Sequence, residues 1–204
     1  VLGIDYNLQS KDSKWVGKIW YHKSYESRNY KNNFSNGIWL NYNSRKNNLF
    51  ISSRQTSDEF SSDLGFIRRT GIKSHFIKYG HRIWIDSKKI RSIELSQQLY
   101  FVDTPNMSNL ITDRNYETQG VISFTNQSRF EITFNRRYTF LLDDFDPIGG
   151  ENVVPLPANK GFFYNDFEMQ FNSNYTKNYY FNFKTTLGQF YSGNRVSFNS
   201  EITY

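Results

Sequence analysis

The stretch RFEITFNRRYTF, Arg129–Phe140, separates aromatic from charged side chains with a period of two. Phe130, Ile132 and Phe134 share one parity, whereas charged, amide and hydroxyl side chains occupy the other. Side chains of a β-strand point alternately to its two faces. The stretch therefore predicts a strand with one aromatic face and one charged face. The possible folds depend on whether the aromatic face contacts a protein core or lipid.

The same alternation recurs along the whole sequence. Ile4 and Tyr6 flank Asp5 near the start, and Phe198 and Ile202 share a parity near the end. No segment shows the 3.6-residue apolar stripe of an amphipathic helix. The spacing predicts an all-β protein, an antiparallel up-and-down meander of about eleven long strands, each of roughly 9–14 residues.

The connections between these strands alternate in length. Tight turns such as Lys11–Lys14 and Thr125–Ser128 alternate with long connections such as Asp58–Gly71 and Leu141–Lys160. Alternate connections of an antiparallel meander lie at the same end, so the tight turns are expected at one end and the long loops at the other. Outer-membrane barrels have this asymmetry, and a soluble sandwich has no reason to adopt it.

Composition narrows the class of protein further. Aromatic residues make up 19% of the 204 residues, which excludes a disordered chain. The sequence has no cysteine, so disulfide and thiolate-metal frameworks are excluded. It has no run of about 18 apolar residues, as a transmembrane helix requires. The net charge of +6 is scattered among strands and turns, so no nucleic-acid partner is predicted.

These patterns predict part of a transmembrane β-barrel in the bacterial outer membrane, surrounded by outer-membrane lipid and lipopolysaccharide. The predicted strand lengths agree, because a tilted transmembrane strand needs about 9–11 residues and a soluble strand averages about 5–6. The alternative is a large soluble antiparallel sheet with aromatic cross-strand pairs.

The barrel hypothesis assigns roles to both faces. Polar residues that face the lumen are predicted to be Glu117, Arg129, Glu131, Arg137, Asp166 and Glu168. Aromatic residues that form girdles at the two rims are predicted to be Phe124, Phe130, Tyr138, Phe140, Phe163, Phe171 and Tyr204. Arg136 shares the parity of the aromatic face, so either it reaches an interface or a bulge resets the parity there.

The turn Thr125–Ser128 also predicts a register. Pairing Phe124 with Phe130 places Glu117 directly across from Arg137 on the polar face. Opposite charges in that position stabilise a sheet by about 0.2–1 kcal/mol.

Three segments, in this order, resemble a family of large Bacteroidota outer-membrane barrel domains of unknown function. They are SSDLGFIRRTG (Ser61–Gly71), NRRYTFLLDDFDP with the following VPLPANKGFFYNDFEMQF, and GQFYSGNR (Gly188–Arg195). In that family the barrel follows a domain resembling family-9 carbohydrate-binding modules, and it continues with more strands. The resemblance implies a porin-like cell-envelope protein linked to glycan binding. Residues 1–204 are expected to be a single domain, a fragment of a larger barrel.

Two loop segments contain candidate ligand residues. Phe66, Arg68 and Arg69 are candidates for contact with a sugar or a lipopolysaccharide phosphate, because arginine forks suit phosphate. The alternative is a structured loop whose bends are set by Gly65 and Gly71.

The acidic cluster Asp143, Asp144 and Asp146 supplies oxygen ligands of the kind that Ca²⁺ prefers. Its spacing is not that of a known calcium loop, so a turn-forming acidic loop is favoured. No metal and no other cofactor is predicted.

Catalysis is not expected in this chain. Glycoside hydrolysis needs two carboxyl groups about 5–9.5 Å apart in a cleft, but acidic residues on a wet lumen wall need no catalytic role. Nucleophile-elbow, phosphate-loop and dinucleotide motifs are absent from the sequence. The predicted function is the barrel region of a surface protein for glycan binding or uptake. The alternatives are a plugged structural anchor that displays a binding domain, and a soluble, secreted β-rich binding module.

Overall fold

The computed structural model describes residues 1–25, 32–62, 67, 69–147, 149 and 154–204. Eleven strands follow one another in chain order in a single antiparallel sheet that does not close. The strands are β1 (Leu2–Gln9), β2 (Trp15–Lys23), β3 (Phe34–Asn43), β4 (Asn47–Thr56), β5 (Ile72–Trp84), β6 (Ile90–Thr104), β7 (Leu110–Phe124), β8 (Arg129–Leu141), β9 (Lys160–Asn172), β10 (Tyr180–Phe190) and β11 (Gly193–Thr203). The predicted all-β antiparallel meander is confirmed, whereas closure into a barrel and insertion into a membrane stay predictions.

Helical structure is minimal in the part of the chain that the structure describes. A single 3₁₀ turn, Pro105–Met107, connects β6 to β7. No described helix is long and apolar enough to cross a membrane.

Contacts divide the chain into two compact units. Unit 1 contains Val1–Ile83 and Ser96–Ile111, and unit 2 contains Trp84–Leu95 and Thr112–Tyr204. Each unit is therefore built mainly from strands that are adjacent in the sequence, as expected for a meander.

The pairing of β8 with β9 settles the position of Arg136. The register runs without interruption from Arg129 opposite Asn172 to Leu141 opposite Lys160. A bulge would place two residues opposite one, and none occurs in this pair. Arg136 therefore lies on the same face as Phe134 and Tyr138.

The predicted register of the β7–β8 hairpin is wrong by two residues. Ile122, not Phe124, lies opposite Phe130. Phe124 pairs instead with Ser128, whose carbonyl oxygen accepts a hydrogen bond from the Phe124 N–H. The loop is a three-residue turn with Gln127 at a positive φ of 71°, a common hairpin geometry. A shift of two residues keeps every side chain on its predicted face.

The connections keep most of the predicted asymmetry. Those at one end comprise residues 10–14, 44–46, 85–89, 125–128 and 173–179. Those at the other end comprise residues 24–33, 57–71, 105–109, 142–159 and 191–192. The three longest all lie at the second end, here called the loop end, and the first end is called the turn end. Residues 105–109 and 191–192 are short exceptions, because the first form a 3₁₀ turn and the second a tight hairpin.

Burial in this fold is unusual in its chemistry. Among the described residues, the buried apolar side chains are Ile72, Val102, Val121, Leu141, Phe162 and Tyr164. Buried polar side chains are more numerous, and three of them, Asn135, Thr112 and Asp166, are among the most deeply buried in the protein. The interior contacts of this sheet are therefore largely polar, which is the reverse of an ordinary globular core.

Candidate functional site

The candidate site is the polar face of unit 2. The polar face is the side of β7–β11 on which Glu131 of β8 lies, together with the residues that the strand registers place on that side. The register places all six predicted lumen residues on it, namely Glu117, Arg129, Glu131, Arg137, Asp166 and Glu168. The opposite side, which carries Ile132 and Phe167, is called the apolar face.

Asp166 is the most deeply buried charged residue on the polar face, with 1% of its surface exposed. Arg137 donates from Nε to Asp166 Oδ2 at 2.8 Å, and Asn135 donates from Nδ2 to Oδ1 at 2.9 Å. A buried carboxylate is tolerated when a cation and further donors satisfy its oxygens. The register supplies this arrangement, because Asn135 lies directly opposite Asp166 and Arg137 is its diagonal neighbour.

Two further ion pairs occupy the polar face toward the turn end. Arg129 Nε lies 2.8 Å from Glu131 Oε1, and Gln119 Nε2 donates to Glu131 Oε2 at 3.2 Å. Lys184 Nζ lies 2.8 Å from Glu168 Oε1. Together with Asp166 and its two donors these groups are called the polar network, which comprises Gln119, Arg129, Glu131, Asn135, Arg137, Asp166, Glu168 and Lys184.

Glu117 is placed on the polar face but not against its predicted partner. It lies directly opposite Asn135, because the hairpin register differs by two residues from the predicted one. Arg137 lies opposite Asn115 in that pair of strands and forms its ion pair with Asp166 on the other side.

Backbone packing closes the polar network beneath Asp166. A Cβ added to Gly188 in β10 would lie 2.5 Å from the carbonyl oxygen of Asn165 and 2.6 Å from Asp166 Cα. The backbone at Gly188 also has a φ of +152°, which side chains rarely adopt. Glycine is therefore required where β10 approaches β9 beside Asp166.

The apolar face of unit 2 is open to its surroundings. Ile132, Phe163 and Phe167 are 45%, 58% and 52% exposed, whereas Thr133 and Asn135 on the polar face are 5% and 2% exposed. Exposed apolar side chains that occur singly need no explanation, but a continuous exposed apolar surface marks contact with protein or membrane.

Unit 1 has the same inversion of exposure. In β3 and β4, Ile38 and Ile51 on one side are 44% and 41% exposed, whereas Ser35 and Thr56 on the other side are 7% and 6% exposed. In β1 and β2, Asp5 Oδ1 lies 3.2 Å from Lys18 Nζ and 3.0 Å from His22 Nε2. The alternation therefore has the same consequence in both units, with charged side chains paired with one another on one side and apolar side chains exposed on the other.

The predicted girdle residues lie at the ends of the apolar face. Phe130 pairs with Phe171 toward the turn end. Tyr138 and Phe163 have ring centroids 4.5 Å apart toward the loop end, and Tyr204 lies 4.9 Å from Tyr179. Phe124 ends β7 and Phe140 stands one residue before the end of β8. Contact of these rings with a membrane interface stays a prediction.

The loop candidates are described only in part. Phe66 and Arg68 lie outside the described residues, whereas Arg69 is described and exposed. Asp144 accepts a hydrogen bond from the Ala158 N–H at 2.7 Å, which ties the two sides of the loop after β8 together. Asp143 is exposed. No group of three or more potential metal ligands, Asp146 included, assembles among the residues that the structure describes.

The tight turn after β1 holds the most perturbed carboxyl group outside the strands. Hydrogen bonds from the Ser10 hydroxyl and from Lys14 lower the pKa of Asp12 from 3.8 to about 2. The Lys14 Nζ atom lies 2.9 Å from Asp12 Oδ2. This carboxylate organises a solvent-exposed turn.

The chemistry of the polar network is that of compensated charge. Asp166, Glu131 and Glu168 each contact the cationic group of a neighbouring side chain. Each carboxylate is thus already engaged in a contact within the sheet. The geometry therefore suits the lining of a polar interior, and the absence of catalysis stays a prediction.

Comparison with known proteins gives no family assignment. No protein-family model and no curated protein matches this chain. The resemblance to the Bacteroidota barrel domains therefore stays a prediction.

Several residues of the polar network were not singled out from the sequence. Asn135, Gln119 and Lys184 each satisfy a carboxylate there. Their parity marks them as polar-face residues, but their partners depend on registers that sequence alone does not fix.

Proposed function

We propose that this chain is the membrane-spanning region of an outer-membrane β-barrel, with its apolar face toward lipid and its polar face toward a lumen. The support is the inversion of exposure in both units. Asp166 and Asn135 are almost fully buried, whereas Ile132 and Phe167 are about half exposed. In water this arrangement is unfavourable, because apolar side chains stay exposed to solvent and polar side chains are removed from it. In a membrane the apolar face contacts hydrocarbon and the polar face lines the interior of the barrel, so the same arrangement is stable.

A barrel in lipid leaves no unpaired strand edge, because unsatisfied backbone groups cost several kcal/mol each. The proposal therefore requires that β1 and β11, the two ends of the strand order, both acquire partners in the membrane.

Glycan binding or uptake enters the proposal through the resemblance of Ser61–Gly71 and the later segments to surface-protein barrels. In this view the long connections at the loop end contact the glycan and the polar network lines its path. No catalytic step is assigned to the chain.

A second candidate function has its own observation. Two ion pairs of the polar network, Arg137–Asp166 and Lys184–Glu168, bridge neighbouring strands. Asn135 donates a second hydrogen bond to Asp166. An interior filled by such contacts suits a plugged structural anchor that displays a binding domain. The two candidates share the membrane-spanning sheet and differ only in whether the lumen conducts.

The proposal is tested with the full-length protein in detergent. We expect electrophoretic mobility that changes on boiling, together with recovery in the outer-membrane fraction, because a folded barrel resists detergent until heated. Conductance in a planar bilayer then separates an open lumen from a plugged anchor. A single band on boiled and unboiled gels, with the protein soluble in buffer, would mean that another protein covers the apolar face and that the proposal is wrong.

A further inference from the structure

Two arginine residues lie on the apolar face of unit 2. The β7–β8 register places Arg114 opposite Tyr138 and Arg136 opposite Tyr116. The two arginines are therefore diagonal neighbours, whose separation across an antiparallel pair is about 7–8 Å. Both are exposed. Two cations this close repel each other unless an anion lies between them.

Neither arginine has an acidic partner among the residues that the structure describes. Arg114 lies over two rings, with its guanidinium carbon 5.7 Å from the centroids of both Tyr138 and Phe163. The Arg136 side chain forms no hydrogen bond or ion pair within the described residues. The contrast with the polar face is direct, because Arg129 and Arg137 each form an ion pair at 2.8 Å there.

A cavity of about 340 Å³ opens beside these two side chains. It is lined by Arg114, Tyr116, Arg136, Arg137, Tyr138 and Phe163. The Arg137 guanidinium is already committed to Asp166 on the polar face. The guanidinium groups left for an occupant are those of Arg114 and Arg136, and the tyrosines add hydroxyl groups that can donate hydrogen bonds.

The surface next to the cavity is apolar and exposed on the side toward the turn end. The Phe134 and Phe167 rings pack there at an interplanar angle of 45° with centroids 4.9 Å apart, and Phe167 and Ile132 are about half exposed. A free phosphate would use only the arginines. A lipid with a phosphate group would use both the arginines and this apolar strip, along which its acyl chains can lie.

We infer that Arg114 and Arg136 bind the phosphate group of an anionic membrane lipid whose acyl chains cover the apolar face; this inference rests on the proposed membrane-spanning function. Guanidinium forks match phosphate geometry, and tyrosine rings are enriched at membrane interfaces. The site also accounts for two arginines on a face that otherwise contacts hydrocarbon.

The test measures lipid retention by the full-length protein in detergent with native mass spectrometry. The probes are phosphatidic acid, diacylglycerol with the same chains, and inorganic phosphate. The double variant Arg114→Gln/Arg136→Gln is compared with the native protein. Arg54→Gln is the matched control, since Arg54 is exposed in β4 of unit 1 and has no ion pair among the described residues.

We expect the native protein and Arg54→Gln to prefer phosphatidic acid to diacylglycerol. The double variant should bind phosphatidic acid about tenfold more weakly, because two charge-assisted hydrogen-bonding partners are lost. Equal retention by all three proteins would overturn the inference, as would equal retention of the two lipids. Full competition by inorganic phosphate at the lipid concentration would assign the site to a free anion instead.

Boiling-dependent mobility is recorded for each variant in the same preparation. If the mobility shift is present while lipid retention is unchanged in the double variant, this inference fails and the proposed function stands. If the native protein shows no mobility shift, the proposed function fails and the lipid site fails with it.

Discussion

The two faces of strands β8 and β9 differ in exposure in the direction opposite to that of a soluble sheet. On the polar face, Asp166 is 1% exposed and Asn135 is 2% exposed. On the apolar face of the same strands, Phe163 is 58% exposed and Phe167 is 52% exposed. Neighbouring residues in one strand, such as Asp166 and Phe167, therefore have opposite burial and opposite chemistry.

This difference indicates which environment each face requires for stability. The polar face satisfies its own charges through the polar network, so it needs little from its surroundings. The apolar face has no internal partner, so its stability depends on what covers it. Substitutions on the polar face should therefore lower the free energy of unfolding both in water and in lipid. Substitutions on the apolar face should lower it strongly only in lipid.

Asp166→Ala is expected to have the largest effect, destabilising the sheet by about 3–5 kcal/mol. The substitution leaves Arg137 and Asn135 without their acceptor, and an uncompensated group in a buried position is costly. The lower part of the range applies because the Arg137 side chain is 35% exposed and can regain water. The free energy of unfolding in urea measures the effect.

Asp166→Asn is the matched control for that substitution. It keeps the shape of the side chain and one carbonyl acceptor while removing the charge, so we expect a smaller loss than for alanine. Equal stability of the alanine variant and the native protein would contradict a structural role for the polar network.

Ile132→Arg tests the apolar face. In a bilayer the variant should lose about 2–4 kcal/mol, because a charge on the lipid side near mid-span is costly. In water an exposed position should change by no more than about 0.5 kcal/mol. Unfolding is compared in phospholipid vesicles, with Asn199→Arg on the polar side of β11 as the control. A small loss for Ile132→Arg in vesicles would indicate that lipid does not contact this face.

Gly188→Ala should have a smaller effect, about 1–3 kcal/mol, through strain rather than solvation. The added methyl group would lie 2.5 Å from the Asn165 carbonyl oxygen and would force β10 away from Asp166. Gly193→Ala is the control, because its nearest neighbour, the Phe190 carbonyl oxygen, is 3.7 Å away. Equal unfolding midpoints for the two variants would mean that β10 can move without cost to the polar network.

The smallest effect concerns the Ser10–Lys14 turn, which belongs to neither face. The pKa of Asp12 should be about 2, and Ser10→Ala should raise it toward 3.8 because the largest hydrogen bond is lost. A lowered folded-state pKa means that the contribution to stability is present above pH 3.8 and is lost as the pH falls through 2. An NMR titration of the Asp12 carboxyl carbon checks both values. An unchanged titration in Ser10→Ala would assign the shift to Lys14 alone.

Parity made the two faces predictable. Phe130, Glu131 and Ile132 alternate in sequence and lie on the predicted sides, because the side-chain period of a strand is fixed by backbone geometry. The number of strands and the longest connections followed from the same alternation. The parity of Arg136 also predicted its place on the aromatic face once a bulge was excluded.

Partner identities were less predictable, because they depend on turn geometry. A three-residue turn closed by Phe124 and Ser128 moved Glu117 from Arg137 to Asn135. The sequence Thr125–Ser128 is compatible with either loop length, and in the structure the Phe124–Ser128 hydrogen bond and the positive φ of Gln127 identify the three-residue turn. The Asp166–Arg137 ion pair depends on the β8–β9 register, which the long connection after β8 leaves open.

The most direct test of the account compares two adjacent positions on opposite faces of β11. Phe198, 64% exposed on the apolar side, and Asn199, exposed on the polar side, can each be replaced by cysteine and labelled with a fluorophore, since the chain has no cysteine of its own. In vesicles of lipids carrying nitroxide on their acyl chains, we expect strong quenching of the label in Phe198→Cys and little in Asn199→Cys. Equal quenching at both positions, or none at either, would contradict the claim that the apolar face contacts lipid.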